Sequence, residues 1–156
     1  MTRRSLFIFA AALSLSVAGY AWAKPNFTGT WKINAAKSDF GPMPQPDKME
    51  RTITHDDPSL KYTTVQTTPN GEVTSDATYK TDGSDTTNKV RGMDVKGNAK
   101  WAGDALTISS KREFQGMEIT QVESWTLAEG GKQLVINNKV NTPQGDFDLK
   151  FVFDKQ

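Results

Sequence analysis

Residues 105–127 read ALTISSKREFQGMEITQVESWTL. Apolar and polar residues alternate on both sides of Gln115-Gly116, a dipeptide suited to a two-residue hairpin turn. Directly opposed residues in such a hairpin share one face of the sheet. Folding the stretch at Gln115-Gly116 sets Phe114 against Met117 and Arg112 against Ile119. A slip of one residue mixes the faces, so the pairing reads as a registered hairpin.

The same test extends outward along the chain. Val90 opposes Met93 across Arg91-Gly92, Trp101 opposes Leu106 across Gly103-Asp104, and Leu127 opposes Leu134 across Gly130-Gly131. With turns placed at Asn70-Gly71 and Gln144-Gly145, Tyr62 opposes Tyr79, Val140 opposes Leu149 and Ile136 opposes Phe153. Asp57-Pro58 and Asp82-Gly83 supply further turn signals, while helix-period stretches are scarce. The count is ten strands: Phe27–Ile33, Lys48–His55, Leu60–Thr68, Glu72–Lys80, Ser84–Val90, Met93–Trp101, Ala105–Phe114, Met117–Leu127, Gln133–Val140 and Asp146–Asp154. One longer connection, Asn34 to Asp47, carries Gly41, Pro42, Pro44 and Pro46, with room for one helical turn at Ala35-Ala36-Lys37-Ser38. The prediction is an all-β fold, an antiparallel up-and-down β-barrel of about ten strands. An even count lets first and last strands pair antiparallel and removes the exposed edges.

The chain has 156 residues, 19 Lys+Arg, 18 Asp+Glu, one His and no Cys. The absence of Cys rules out disulfides, zinc ribbons and thiol catalysis. A single His precludes a multi-His metal site, and a net charge of +1 makes no electrostatic case for nucleic acid. Arg3-Arg4, the apolar run Leu6–Val17 and Ala21-Trp22-Ala23 have the layout of a secretory signal peptide ending near Ala23. The run is short of the ~20 residues that span a bilayer, which argues against a membrane anchor. Residues 24–156 then form a single barrel domain, exported to the periplasm or the extracellular space. Losing Arg3 and Arg4 turns the formal balance from +1 to −1.

Asn26-Phe27-Thr28-Gly29-Thr30-Trp31-Lys32-Ile33 resembles the first strand of the calycin superfamily, the lipocalins and fatty-acid-binding proteins. The resemblance implies that Phe27, Gly29 and Trp31 form the plug of the closed end, with Gly29 allowing close chain passage. Length and strand count look closest to the fatty-acid-binding proteins, in a bacterial, secreted lipocalin-like form. Two features depart from that family. Asn34–Asp47 is too short and Pro-rich for its two-helix lid, and Lys150-Phe151-Val152-Phe153 replaces its carboxylate-holding Arg-x-Tyr.

The register assigns a mixed inner face. Polar Arg51, His55, Tyr62, Tyr79, Asn88, Arg112, Gln121 and Glu123 share it with Trp31, Trp101, Phe114 and Trp125. Unpaired buried polar groups cost about 1–3 kcal/mol each, which argues for a cavity rather than a dry core. The candidate ligand contacts are Arg112, Gln121, Tyr62, Tyr79, Arg51, Glu123, Trp101 and Phe114. Arg112 leads, either gripping an anionic head group with help from Gln121 or Tyr62, or pairing structurally with Glu123. Trp31, Trp101 and Trp125 also read as core plugs, and His55 reads as a solvated rim residue beside Asp56-Asp57-Pro58.

These features predict a monomeric binding protein for a small hydrophobic or amphiphilic ligand, with no cofactor, no metal and no catalytic residue assigned. A protein-interaction module with a side-chain-filled barrel is the alternative, and a small hydrolase or isomerase the third. An open lumen separates the first from the second.

Overall fold

The computed structural model describes residues 23–156. The signal sequence read over residues 1–23 lies, apart from Ala23, outside the described residues. Ten strands follow in order: β1 (Gly29–Ile33), β2 (Lys48–Asp56), β3 (Ser59–Thr68), β4 (Gly71–Lys80), β5 (Thr86–Val90), β6 (Met93–Ala102), β7 (Ala105–Phe114), β8 (Met117–Ala128), β9 (Gln133–Thr142) and β10 (Gly145–Lys155). Short 3₁₀ turns occupy Ala35–Lys37 and Glu129–Gly131. The strands form one antiparallel sheet in the order β4-β3-β2-β1-β10-β9-β8-β7-β6-β5. β1 closes on β10, with Trp31 opposite Lys155 and Ile33 opposite Phe153.

Four of the predicted turns keep the register read from sequence: Phe114 faces Met117, Val90 faces Met93, Trp101 faces Leu106, and Leu127 faces Leu134. Two are displaced by two residues. Tyr62 faces Ala77 while Leu60 faces Tyr79, and Val140 faces Phe147 while Ile136 faces Phe151. The turn residues there are Pro69-Asn70 and Pro143-Gln144, because proline's fixed φ suits the second position of a β-turn. In both, the threonine before the proline donates its hydroxyl to the closing glycine carbonyl, Thr68 to Gly71 at 3.1 Å and Thr142 to Gly145 at 2.9 Å. A shift of two preserves parity, so every inward residue stays inward.

β1 begins at Gly29 rather than Phe27. Ahead of it a side chain replaces ladder bonds: the Thr28 hydroxyl donates to the His55 carbonyl and accepts from its N–H, both at 3.0 Å. Gly29 has φ +147°, and a Cβ there would stand 3.0 Å from Lys155 Cε. The glycine is thus required where the first strand meets the last.

The core fills one end of the barrel. Phe27, Trp31, Ile53, Leu60, Leu106, Trp125, Leu134, Ile136 and Phe153 are all below 2% exposed. Toward the other end the inward residues shrink to Thr64, Ser75, Ala77, Gly97 and Ser110. A ten-stranded barrel lined by small side chains leaves space there. The β1–β2 connection crosses this end: Asp39 pairs with Lys150, and Phe40 is buried 5.6 Å from the Phe151 ring.

β4 and β5 are the sequence neighbours that share no ladder. Asn88 spans the seam, accepting from the Thr78 N–H at 2.7 Å and donating to the Thr78 carbonyl at 3.0 Å. One side-chain amide thus stands in for one residue pair of a ladder. Asn88→Ala removes both bonds and is expected to cost about 1–2 kcal/mol. It should also speed amide exchange at Thr78 by more than the global loss of stability speeds it at the β2–β3 amides. Chemical denaturation and residue-resolved hydrogen exchange would check this; protection at Thr78 equal to wild type sinks the idea.

Candidate functional site

A cavity of about 570 Å³ occupies the wide half of the barrel. Its walls include Arg51, Tyr62, Tyr79, Arg112, Gln121, Glu123 and Phe114, seven of the eight residues singled out from sequence. Apolar surface comes from Met49, Val95, Ile108, Ile119 and Phe151. Met43 and Phe114 line it too and are 44% and 43% exposed, which marks the mouth.

Trp101 is the exception and a correction. It does not line the cavity; it stacks on Phe27 at 5.9 Å and tilts against His55 at 5.8 Å in the closed end. The reason is topological: Trp101 is the last inward residue before the Gly103-Asp104 turn, at the end opposite the mouth. Phe27 and Trp31 are fully buried, and the Trp31 indole donates to the Phe27 carbonyl at 2.8 Å.

His55 is also corrected. It is 5% exposed, not a solvated rim residue. Its Nε2 meets Asp57 Oδ1 at 2.8 Å, and its Nδ1 accepts from the Phe27 N–H at 3.3 Å. With Nδ1 accepting from the backbone, Nε2 is the ring nitrogen that donates to Asp57. Burial pushes the Asp57 carboxyl up, but hydrogen bonds from Thr81 and His55 outweigh it and hold the group below the usual range. This cluster ties the N-terminal segment to the closed end. Among the described residues, no three His, Cys, Asp or Glu side chains gather as a metal site.

Inside the cavity the charges are arranged differently from the sequence reading. Glu123 is not paired with Arg112. Its Oε1 accepts from Gln121 and its Oε2 from the Trp125 indole, both at 2.7 Å. Gln121 and Trp125 lie two residues either side of Glu123 on β8, so all three point inward from one strand. Arg112 makes no hydrogen bond or ion pair with another described residue.

Arg51 is the enclosed cation. Its Nε donates to Thr64 Oγ1 at 3.0 Å. Its guanidinium carbon lies 4.7 Å from the Tyr62 ring centroid, 5.2 Å from Trp125 and 5.5 Å from Phe153. Its Nη1 is buried with no hydrogen-bond partner, as is Asn138 Oδ1. The Tyr62 and Tyr79 rings stack 6.3 Å apart. Burial, and then the Glu123 charge, raise both phenols above their ordinary range. Both therefore remain neutral hydrogen-bond donors at physiological pH.

Thr64, Met49 and Met43 complete the site and were not singled out from sequence. Thr64 shares parity with Tyr62 and Gln66, which was the available signal. Met43 lies in a loop, where no periodicity reports direction.

Neither a protein-family model nor a curated protein sequence matches the chain. Solved structures do. A secretory abundant heat soluble (SAHS) protein from Ramazzottius varieornatus aligns with a TM-score of 0.60 at 16% identity, over 83% of this chain and 94% of that one. Zebrafish ileal bile-acid-binding protein, solved with cholic acid, aligns at 0.55 and 20%, over 83% and 98%. Human cRBP IV aligns at 0.55 and 18%, over 85% and 99%. At these identities the likeness shows the fold alone: this chain folds as a ten-stranded antiparallel barrel like those of these proteins.

Proposed function

We propose that the chain is an exported binding protein that holds a small amphiphilic molecule inside the barrel. The observation that carries this reading is the cavity of about 570 Å³, whose walls combine apolar and aromatic side chains with nearly as many polar and charged ones, a lining of mixed character that suits an amphiphile. Its volume falls within the roughly 300–1,000 Å³ of small-molecule sites. A side-chain-filled lumen is what the interaction-module alternative requires, and the small inward residues of β3, β4, β6 and β7 work against it. Zebrafish ileal bile-acid-binding protein, which shares the fold, was solved with cholic acid. Export rests on the leader layout of residues 1–23.

Affinity would come mainly from apolar burial, at about 25 cal/mol per Å². Purified protein is expected to carry extractable lipid visible by native mass spectrometry, and to enhance the fluorescence of a hydrophobic naphthalene-sulfonate probe that added lipid displaces. Empty extracts from two expression hosts, together with no probe response, would overturn the reading. Cleavage after Ala23 in exported material, read by N-terminal sequencing, tests the export part.

A further inference from the structure

We propose that the mouth of the barrel is an oxidation-sensitive gate: its methionine thioethers, Met43 above all, take up oxygen from a peroxide, and the sulfoxides weaken the hold on an apolar guest. This rests on the binding-protein reading above.

The placement of sulfur carries the inference. The chain has five methionines and no cysteine. Apart from Met1, which lies outside the described residues, all of them stand at the mouth end. Met43 sits in the β1–β2 connection, Met49 is the second residue of β2, Met93 opens β6 and Met117 opens β8. Met43, Met49 and Met93 line the cavity, and Met117 faces Phe114 across its hairpin. The side chains below 2% exposed at the packed end are Phe, Trp, Ile and Leu, with no methionine among them. Leucine has a similar volume and would serve a static apolar rim equally well. What methionine adds is flexibility and an oxidisable sulfur.

Access follows the same line. Met43 is 44% exposed and the other three are half-buried, so none is sealed from a small peroxide. With no thiol in the chain, these thioethers are the sulfur that such an oxidant meets. The sulfur lone pair attacks one peroxide oxygen, and the S–O bond forms as the O–O bond breaks. The departing oxygen takes up the proton and leaves as water, or as an alcohol from an organic hydroperoxide. Sulfur loses two electrons and the peroxide gains them. A flexible apolar side chain becomes a polar one.

Position turns that change into a gate. A guest that covers Met43 with apolar surface has to strip water from a sulfoxide dipole, a cost the thioether does not impose. At Met117 a donor for the new oxygen is already present: Gln144 Nε2 lies 4.0 Å from Sδ. A thioether accepts weakly, and a sulfoxide oxygen gives that amide a stronger acceptor. The oxidised side chain is thereby held at the rim. The fold itself is spared, because no methionine belongs to the fully buried set at the closed end.

Hydrogen peroxide treatment of the purified protein tests this, with sulfoxides located by peptide mass spectrometry and affinity read with the naphthalene-sulfonate probe. Sulfoxide is expected at Met43, and the probe Kd should rise about 3- to 10-fold. The urea midpoint should hold. Methionine sulfoxide reductases specific for each epimer should restore the Kd. Met43→Gln, a polar side chain of similar length, should weaken the probe about threefold without any peroxide. The combination Met43→Leu, Met49→Leu, Met93→Leu and Met117→Leu is compared with itself: peroxide should change its Kd by less than about 1.5-fold. Met43 left unoxidised, an unchanged Kd with sulfoxide in place, an equal loss in the leucine variant, or a urea midpoint that falls with the affinity overturns the gate and leaves the binding reading intact. A wild type that never binds the probe overturns both. Should the leucine variant not fold, Met43→Gln and the reductase treatment decide, and failure of either effect overturns the proposal.

Discussion

Trp125→Ala is expected to destabilise the protein by about 3–5 kcal/mol, the range for deleting a fully buried tryptophan. The side chain is 0% exposed, with its ring 5.7 Å from Phe27 and 5.2 Å from Tyr62. It joins the packed end to the cavity, since its indole N–H also holds Glu123 and its face covers Arg51. Trp125→Phe separates these roles. It keeps most of the apolar volume but leaves Glu123 Oε2 without its donor, at about 1–3 kcal/mol. Adding Glu123→Gln to Trp125→Phe removes the unpaired charge, so the double variant should cost less than the sum of the singles. Urea denaturation of wild type, Trp125→Ala, Trp125→Phe, Glu123→Gln and the double variant gives the comparison. If Ala and Phe at 125 prove equally costly, the hydrogen bond rather than the packing carries the effect, and the plug description of this end is wrong.

Gly97→Ala is expected to cost about 3 kcal/mol although it adds one methyl group. Gly97 lies within β6, paired with Thr86 on β5 and Ser110 on β7. Its φ is not in the left-handed region, so backbone freedom is not what the position needs. Space is: an added Cβ would meet the Ser109 carbonyl oxygen at 2.4 Å and Ser110 Cβ at 3.0 Å. The first obstacle belongs to the neighbouring strand's backbone, so the β6–β7 ladder has to shift. Ser110→Gly in the same chain removes the second obstacle and should recover only part of the loss. Full recovery, or a single-site cost below about 1 kcal/mol, the usual range for a tolerated surface change, would show that the ladder gives way easily. Because Ser110 lines the cavity, a displaced β7 should also lower probe binding.

Much of this molecule is legible in its sequence because a β-ladder is written with period two. Parity alone places Arg51, Tyr62, Tyr79, Arg112, Gln121 and Glu123 on one face, and it survives the two-residue displacement that Pro69 and Pro143 impose on their hairpins. Parity says which side a residue takes, but not which end of a barrel it reaches or which neighbour it meets across the lumen. That is why Trp101 and Phe114, alike in sequence as large inward aromatics, part company: one is packed behind Phe27, the other stands at the mouth. It is also why Arg112 looked like the leading cation. Its hairpin neighbours are readable along the chain, whereas the aromatic enclosure of Arg51 adds Trp125 and Phe153, from two strands distant in sequence, to Tyr62 of its own hairpin.

The residues by themselves determined the ten strands, their antiparallel order and the division between inner and outer faces. These follow from local alternation and turn chemistry, which act between near neighbours. Closure of β1 on β10, the Asn88 clasp across the β4–β5 seam, the burial of His55 and the engagement of Glu123 by Gln121 and Trp125 were decided only in three dimensions. Side-chain partners inside a barrel are set by the curvature of the whole sheet, and that curvature exists only once every strand is in place.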